Sequence, residues 1–470
     1  MSQYTCGVCG YVYDEEQEGT AWGDLPDDWA CPLCDADRSM FECEDLPEAG
    51  APSETQTVDV SEAPYLSEWQ RPSDDREPYM ADIHRMAETG ESISEPMRTR
   101  LRSISWDDIL IKGAQLSKIP LNEDVVVNTQ TVIGPDAKTP LVLDTPLYVT
   151  HMSFGSLSKE AKLSLARGSA AARTAMCSGE GGILPESMES ACRYIFEYVP
   201  NRYSVTNENL RSVDAVEIKI GQSAKPGLGG HLPGNKVTEE IAAIRGFPQG
   251  ADILSPAHYD DIHDRDSLRE KVVWLRTQSE GRPIGIKLAA GNIEADLEVA
   301  LYAEPDFVTL DGREGGTGSA PRFVKDATSV PTQFALYRAR KFLDESKANG
   351  VSLLITGGLR VSSDFAKALA MGADAVAIGT AAMIAIGCQQ YRICNTGKCP
   401  VGIATHDPEL RARLSVERSA ERLTNYLAAC TKELADFARL TGNSSVHALS
   451  TEDLCTTSSE ISNHTAIEHV

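Results

Sequence analysis

The chain has 470 residues and carries 44 Lys and Arg against 69 Asp and Glu, a formal net charge of -25. This balance excludes nucleic acid, whose phosphates are held by clustered cations, and suits a basic redox partner better. With 41% hydrophobic and 24% charged residues the chain reads as globular, long enough for one large domain plus a small module.

The opening MSQYTCGVCG lacks the basic and apolar regions of a secretory leader. The longest apolar run, Ala375 to Cys388, is glycine-broken and too short to span a bilayer. The expectation is a cytoplasmic protein with no membrane partner. Seven of the twelve cysteines fall in two tight clusters, which read as metal ligands in a reducing compartment rather than as disulfides.

Residues 1–43 form an aromatic, cysteine-rich unit with two knuckles, Cys6-x2-Cys9 and Cys31-x2-Cys34. Four thiolates so spaced suit Zn2+ or a single iron, and spacing alone does not choose. Tyr4, Tyr11, Tyr13, Trp22, Trp29 and Phe41 are the residues available to pack around the metal. The stretch 44–80 is rich in Pro, Ser, Thr and acidic residues and reads as a solvated linker. Residues 81–145 form an approach segment expected to pack on the next domain, residues 146–455, and the polar end, 456–470, is expected to be a flexible tail.

Across 146–455 the pattern alternates strand and helix, as in parallel α/β folds. Strands are expected at 147–153, 174–178, 215–220, 251–254, 284–289, 306–311, 352–356 and 375–379. Eight of them, with glycine turns at their C-terminal ends, predict a (β/α)8 TIM barrel with its site at those ends. An open doubly wound sheet would want an early GxGxxG turn, and none is present.

The turns carry the chemistry. Ser153-Phe154-Gly155-Ser156 and Ser178-Gly179-Glu180-Gly181-Gly182 follow the first two strands. Gly312-Arg313-Glu314-Gly315-Gly316-Thr317-Gly318, Gly357-Gly358 and Gly379-Thr380 follow the last three. Backbone N–H groups after strands seven and eight commonly bind phosphate in barrels, which points to a phosphorylated ligand such as a flavin mononucleotide. Downstream, Cys388-x5-Cys394-x4-Cys399-Pro400 offers three thiolates in one loop without a close fourth, as a cluster short of one iron requires. Structural zinc is the alternative.

The residues CGVCGYVYD and GDLPDDWACPLC resemble rubredoxin, a one-iron electron carrier, and the match covers residues 3–42. Asp35 stands where rubredoxins usually have glycine. From about Ile104 to Asp407 the chain resembles the synthase domain of glutamate synthases through MSFGSLSKEA, SGEGG, EIKIGQSAKPGLGGHLPG, GGTGSAP, ITGGL and GTAAMIAIGCQQYRICNTGKCPVGIAT. The resemblance implies FMN held by Ser153, Gly155, Ser178, Lys287, Gly316, Gly357, Gly358, Gly379 and Thr380, with 2-oxoglutarate near Gln222, Lys225, His231 and Arg245. It implies catalytic roles for Glu180 and Lys225, and a [3Fe-4S] cluster on Cys388, Cys394 and Cys399 beside a rubredoxin-type iron on Cys6, Cys9, Cys31 and Cys34. Leu228 and His231 stand in GLGGHLPG where the family usually shows GEGGQLPG, which puts the nitrogen donor in question.

The implied reaction is reductive amination of 2-oxoglutarate by ammonia, with electrons from ferredoxin or the rubredoxin unit. The family's glutaminase and GxGxG repeat domains have no counterpart here, so glutamine would require a separate glutaminase subunit in a homo- or hetero-oligomer. An N-methylglutamate synthase-like transferase using methylamine is one alternative, and a noncatalytic flavin electron-transfer adaptor is the other.

Overall fold

The computed structural model describes residues 3–26, 29–44 and 71–470, and the chain divides into two compact units, Met1–Ser94 and Glu95–Val470. Most of the expected linker, residues 45–70, lies outside the described residues.

In the first unit Gln3–Cys6 pairs antiparallel with Val12–Asp14 on one side and Phe41–Glu44 on the other. The aromatic residues gather as expected. Tyr4 stacks on Trp22 at 4.3 Å, and Trp22, Trp29, Tyr13 and Phe41 meet edge-on or tilted at 4.9 to 5.4 Å. So small a unit buries little aliphatic surface, so ring packing carries much of its core. Asp35 adopts a left-handed φ of 58°, a conformation glycine reaches freely and Asp tolerates.

The second unit is a closed eight-stranded parallel barrel, formed in chain order by β1 (Leu147–Val149), β2 (Ala175–Cys177), β3 (Arg193–Tyr198), β4 (Ala215–Lys219), β5 (Ile284–Ala289), β6 (Phe307–Asp311), β7 (Ser352–Thr356) and β8 (Ala375–Ile378). Seven strands fall where sequence patterning puts them. The eighth expectation, 251–254, is corrected: Ile253–Leu254 pairs antiparallel with His231–Leu232 in an excursion after β4, outside the barrel. Its place is taken by β3, RYIFEY, buried over five of its six residues. A strand covered on both faces shows no alternation, which hides it from period-two reading.

The barrel interior is built in two levels. At the lower level Tyr148, Ala175, Cys177, Ile195, Ala215, Phe307 and Leu354 pack with Ile133, Leu141 and Leu143. The last three belong to the hairpin Thr131–Ile133 and Leu141–Leu143, so part of the approach segment plugs the barrel's N-terminal end. Above this apolar floor the inward residues turn polar, with Glu197 in register with Glu217, Lys219 with Lys287, and Lys287 with Thr309.

Outside the barrel, helix Val416–Leu440 packs against helix Lys159–Ala171. Their approach depends on Gly168, where a Cβ would lie 2.8 Å from Leu423 Cβ and 2.9 Å from Ala420 O. The expected flexible tail is instead ordered: Leu454–Thr456 pairs with Ile109–Ile111 and with Glu468–His469 around helix Ser459–His464. Ile461 and Ile467 are buried and anchor a segment whose polar composition suggests fraying. Among the described residues no helix is long and apolar enough to cross a membrane.

Replacing Gly168 by Leu should therefore wedge the two helices apart and destabilise the second unit by about 1–3 kcal/mol, read by denaturant unfolding. Unchanged stability would show that the interface does not depend on this close approach.

Candidate active site and metal centres

The four N-terminal cysteines converge. All four sulfurs lie within 4.8 Å of one another, with Cys6 and Cys34 at 3.7 Å and Cys9 and Cys31 at 3.5 Å. A tetrahedral ion with metal–sulfur bonds of about 2.3 Å wants sulfurs about 3.8 Å apart, so the set fits one metal ion with little movement. Turns hold the knuckles: Gly10 N–H donates to Cys6 O, and Asp35 N–H donates to Cys31 O, both at 2.8 Å.

At the C-terminal end of the barrel lies a cavity partly open to solvent. Of the residues singled out in the sequence, Ser153, Glu180, Gln222, Lys287, Gly316, Gly357, Gly358, Gly379, Thr380, Cys388, Cys394 and Cys399 all line it. Gly357 has φ 113°, and a Cβ there would lie 2.7 Å from Gly312 O, so only glycine lets these two turns meet.

Five expected residues do not line this cavity. Gly155 presents its carbonyl to His406 Nε2 at 2.7 Å. Ser178 Oγ is buried and accepts from Glu197 N–H at 2.9 Å, a structural role. Arg245 is buried behind the first turn, donating from Nη2 to Phe154 O at 2.8 Å and lying over the Tyr203 ring at 5.5 Å. Lys225 is buried, donates to Gly229 O at 3.3 Å and stands 3.8 Å from Glu180 Oε1. The His231 side chain is 52% exposed and pairs with Asp252 at 2.9 Å.

Sequence reading named Lys287 but passed over the groups that surround it, His151, Glu197, Glu217 and Asp311. Lys287 is 4% exposed. Burial works against its ammonium, but the carboxylates of Glu197, Glu217 and Asp311 outweigh burial and hold its pKa above the usual lysine value. Burial pushes the Glu197 carboxyl up to about 7 despite Lys287. Burial also pushes His151 down to about 4, although Glu217 opposes the shift. His151 Nδ1 accepts from Gly179 N–H at 3.2 Å, so the ring proton sits on Nε2, 2.9 Å from Glu217 Oε2.

Further out, Lys219 forms an ion pair with Glu180, and burial drives the Lys219 pKa well below its ordinary value. Burial lowers Lys225 to about 8. Asp311 accepts from Ser223 N–H and Oγ at 3.1 and 2.9 Å, tying the excursion after β4 to β6. Glu314 accepts from Thr332 N–H at 3.0 Å and Oγ1 at 2.6 Å, while Thr332 Oγ1 also reaches Gly357 O at 2.7 Å, bracing the glycine turns. Arg360 adds a cation to the cavity wall beside Gly357 and Gly358. The available signal was a charged residue inside an otherwise apolar strand, as in RYIFEY, AVEIK and FVTLD.

The loop bearing Cys388, Cys394 and Cys399 follows helix Thr380–Ala385 and faces the same cavity. Its sulfurs are not drawn within 4.8 Å of one another as the N-terminal four are. Gln390 donates to Cys388 Sγ from N at 3.4 Å and from Nε2 at 3.2 Å.

Residues 79–444 match the conserved region in glutamate synthase, and residues 3–41 match rubredoxin. The chain belongs to the glutamate synthase family. This is a family of oxidoreductases, here joined to a rubredoxin domain whose four-cysteine site favours iron. This family member is 38% identical to an archaeal-type glutamate synthase [NADPH] of Dehalococcoides mccartyi over 78% of each chain. It is 37% identical to a glutamate synthase large subunit-like protein of Rhizobium meliloti, across 80% of this chain and 90% of that one. It is also 41% identical to the archaeal glutamate synthase [NADPH] of Methanocaldococcus jannaschii, across 68% of this chain and 62% of that one.

The buried acid–base pair has a measurable consequence. Glu197, ordinarily at 4.5 and here about 7, is protonated in the fold where the unfolded chain ionises it, so its contribution is present at low pH and lost as pH rises through 7. His151, ordinarily at 6.5 and here about 4, contributes above 6.5 and loses that contribution as pH falls toward 4. The two slopes oppose each other where they overlap. Glu197→Gln removes the first, so the variant's stability relative to the parent should rise by about 1.4 kcal/mol per pH unit between about pH 5 and 7. Parallel stability–pH curves from denaturant titrations would contradict this.

Proposed function

We propose that this family member is an FMN and iron–sulfur dependent glutamate synthase that reductively aminates 2-oxoglutarate to L-glutamate. The observation that carries the reading is one cavity lined at once by the glycine turns after β6, β7 and β8, by Lys287, and by all three cysteines of the 388–399 loop.

The N–H groups of the turns at Gly357, Gly358 and Gly379, with Thr380 and Arg360, supply a phosphate seat. Ser153 and Gly316 border the space for a planar ring. FMN, when bound, supplies hydride transfer and exchanges single electrons with iron. Lys287 stabilises negative charge on the ring side of the cavity, where the low dielectric strengthens it. Gln222 and Lys225 are assigned to the dicarboxylate, Lys225 lying just behind the cavity wall beside Glu180. Glu180, shared between Lys219 and Lys225, is placed to hold or pass a proton at its Oε atoms as the amine forms. Arg245 is assigned to fixing the Phe154–Gly155 turn, since its guanidinium is committed to Phe154 O.

Cys388, Cys394 and Cys399 would hold a [3Fe-4S] cluster, which would supply one-electron transfer, with the rubredoxin iron or ferredoxin as the source of electrons. Ammonia is the nitrogen donor in this reading, free or from a separate glutaminase, since His231 pairs with Asp252 and is not among the residues that line the cavity. The cysteine usage suits the reducing cytoplasm.

Stopped-flow mixing of the anaerobically reduced protein with 2-oxoglutarate and ammonia, glutamine or methylamine tests the reading. Flavin reoxidation and glutamate formation are expected with ammonia. If 2-oxoglutarate with every amine leaves the flavin reduced, the chain is an electron-transfer adaptor instead.

A further inference from the structure

We propose that Lys236 is a positioning residue that sets the reduction potential of the iron–sulfur site in the 388–399 loop. The inference rests on the reading that this loop carries a multi-iron cluster, and extends it to a residue on a different segment of the fold.

Lys236 ends the turn Gly234–Lys236, in the excursion after β4 that also carries Gln222 and Lys225. The turn is fixed at both sides: Gly234 N–H donates to Asp252 Oδ1 at 2.7 Å, and Val237 is buried with Phe154, Leu232 and Ile241. From there the Lys236 side chain runs under the cysteine loop. It is 6% exposed, its Nζ donates to Cys394 O at 2.5 Å, and its Cε would lie 3.2 Å from a Cβ at Gly397.

Among the described residues no carboxylate lies within ion-pair distance of Lys236. A buried ammonium without a counter-ion is costly, and the negative charge facing it is that of the loop's own thiolates. Burial lowers the Lys236 pKa, and Cys394 and Cys399 oppose that shift, so bound as thiolates they are the groups that hold its charge. A cation held at this distance in a low-dielectric setting favours the more negative, reduced form of the cluster. The lysine thus raises the potential and eases one-electron reduction.

The test is an EPR-monitored redox titration of the intact protein, with dithionite as reductant, alongside iron and sulfide analysis. Lys236→Gln keeps a donor for Cys394 O but removes the charge, and its cluster should titrate at a lower potential than the parent's. Lys236→Arg keeps the charge and should titrate close to the parent. An unchanged potential in Lys236→Gln would overturn the proposal, even with reduced iron content, because that pattern marks a merely structural tie. A parent protein with no multi-iron signal would defeat the loop reading itself, a separate failure visible before any variant is made.

Discussion

The active end of this barrel depends on an ammonium buried at its centre. Lys287 is nearly out of solvent, and it stays charged there because carboxyl groups on β3, β4 and β6 act on it. None of these groups is stable alone at that depth. Together they stop the apolar core from closing over the C-terminal end, and they leave a polar floor over the layer built on Tyr148, Phe307 and Leu354. The cavity is the space that this charge set keeps open.

Around that floor the loops are cross-braced rather than loose. Glu314 and Thr332 tie the turn after β6 to the turn after β7, and Ser223 ties the excursion after β4 to Asp311. Preorganised donors and charges need no reorganisation when charge develops in a site. The two cysteine sites differ in kind. The rubredoxin sulfurs lie within 4.8 Å of one another, whereas the cysteines of the 388–399 loop line the cavity wall.

Much of this was legible in the sequence because the relevant signals are local. CxxC knuckles, glycine turns and strand–helix alternation each lie within a short window, and seven strands, the cavity-lining glycines, the four-cysteine cluster and the cavity-lining cysteines of the 388–399 loop follow from them. What escaped detection was non-local. Strand β3 has no alternation because both its faces are buried, and Ile253–Leu254 looks like a barrel strand but pairs with a neighbour in its own excursion. His151, Glu197 and Glu217 come together only when β3 and β4 fall into register beside the turn after β1, and Arg245, which the resemblance implies near 2-oxoglutarate, is committed to Phe154 O. The chain's end was misread because two isoleucines outweigh its polar composition.

The most direct measurement is cofactor and metal analysis of the anaerobically purified intact chain, with EPR of the oxidised protein. The account predicts one FMN and about four iron atoms per chain, one from the rubredoxin site and three from the loop, with an oxidised three-iron signal. A chain without flavin, or one whose loop holds a single zinc and gives no such signal, would contradict it.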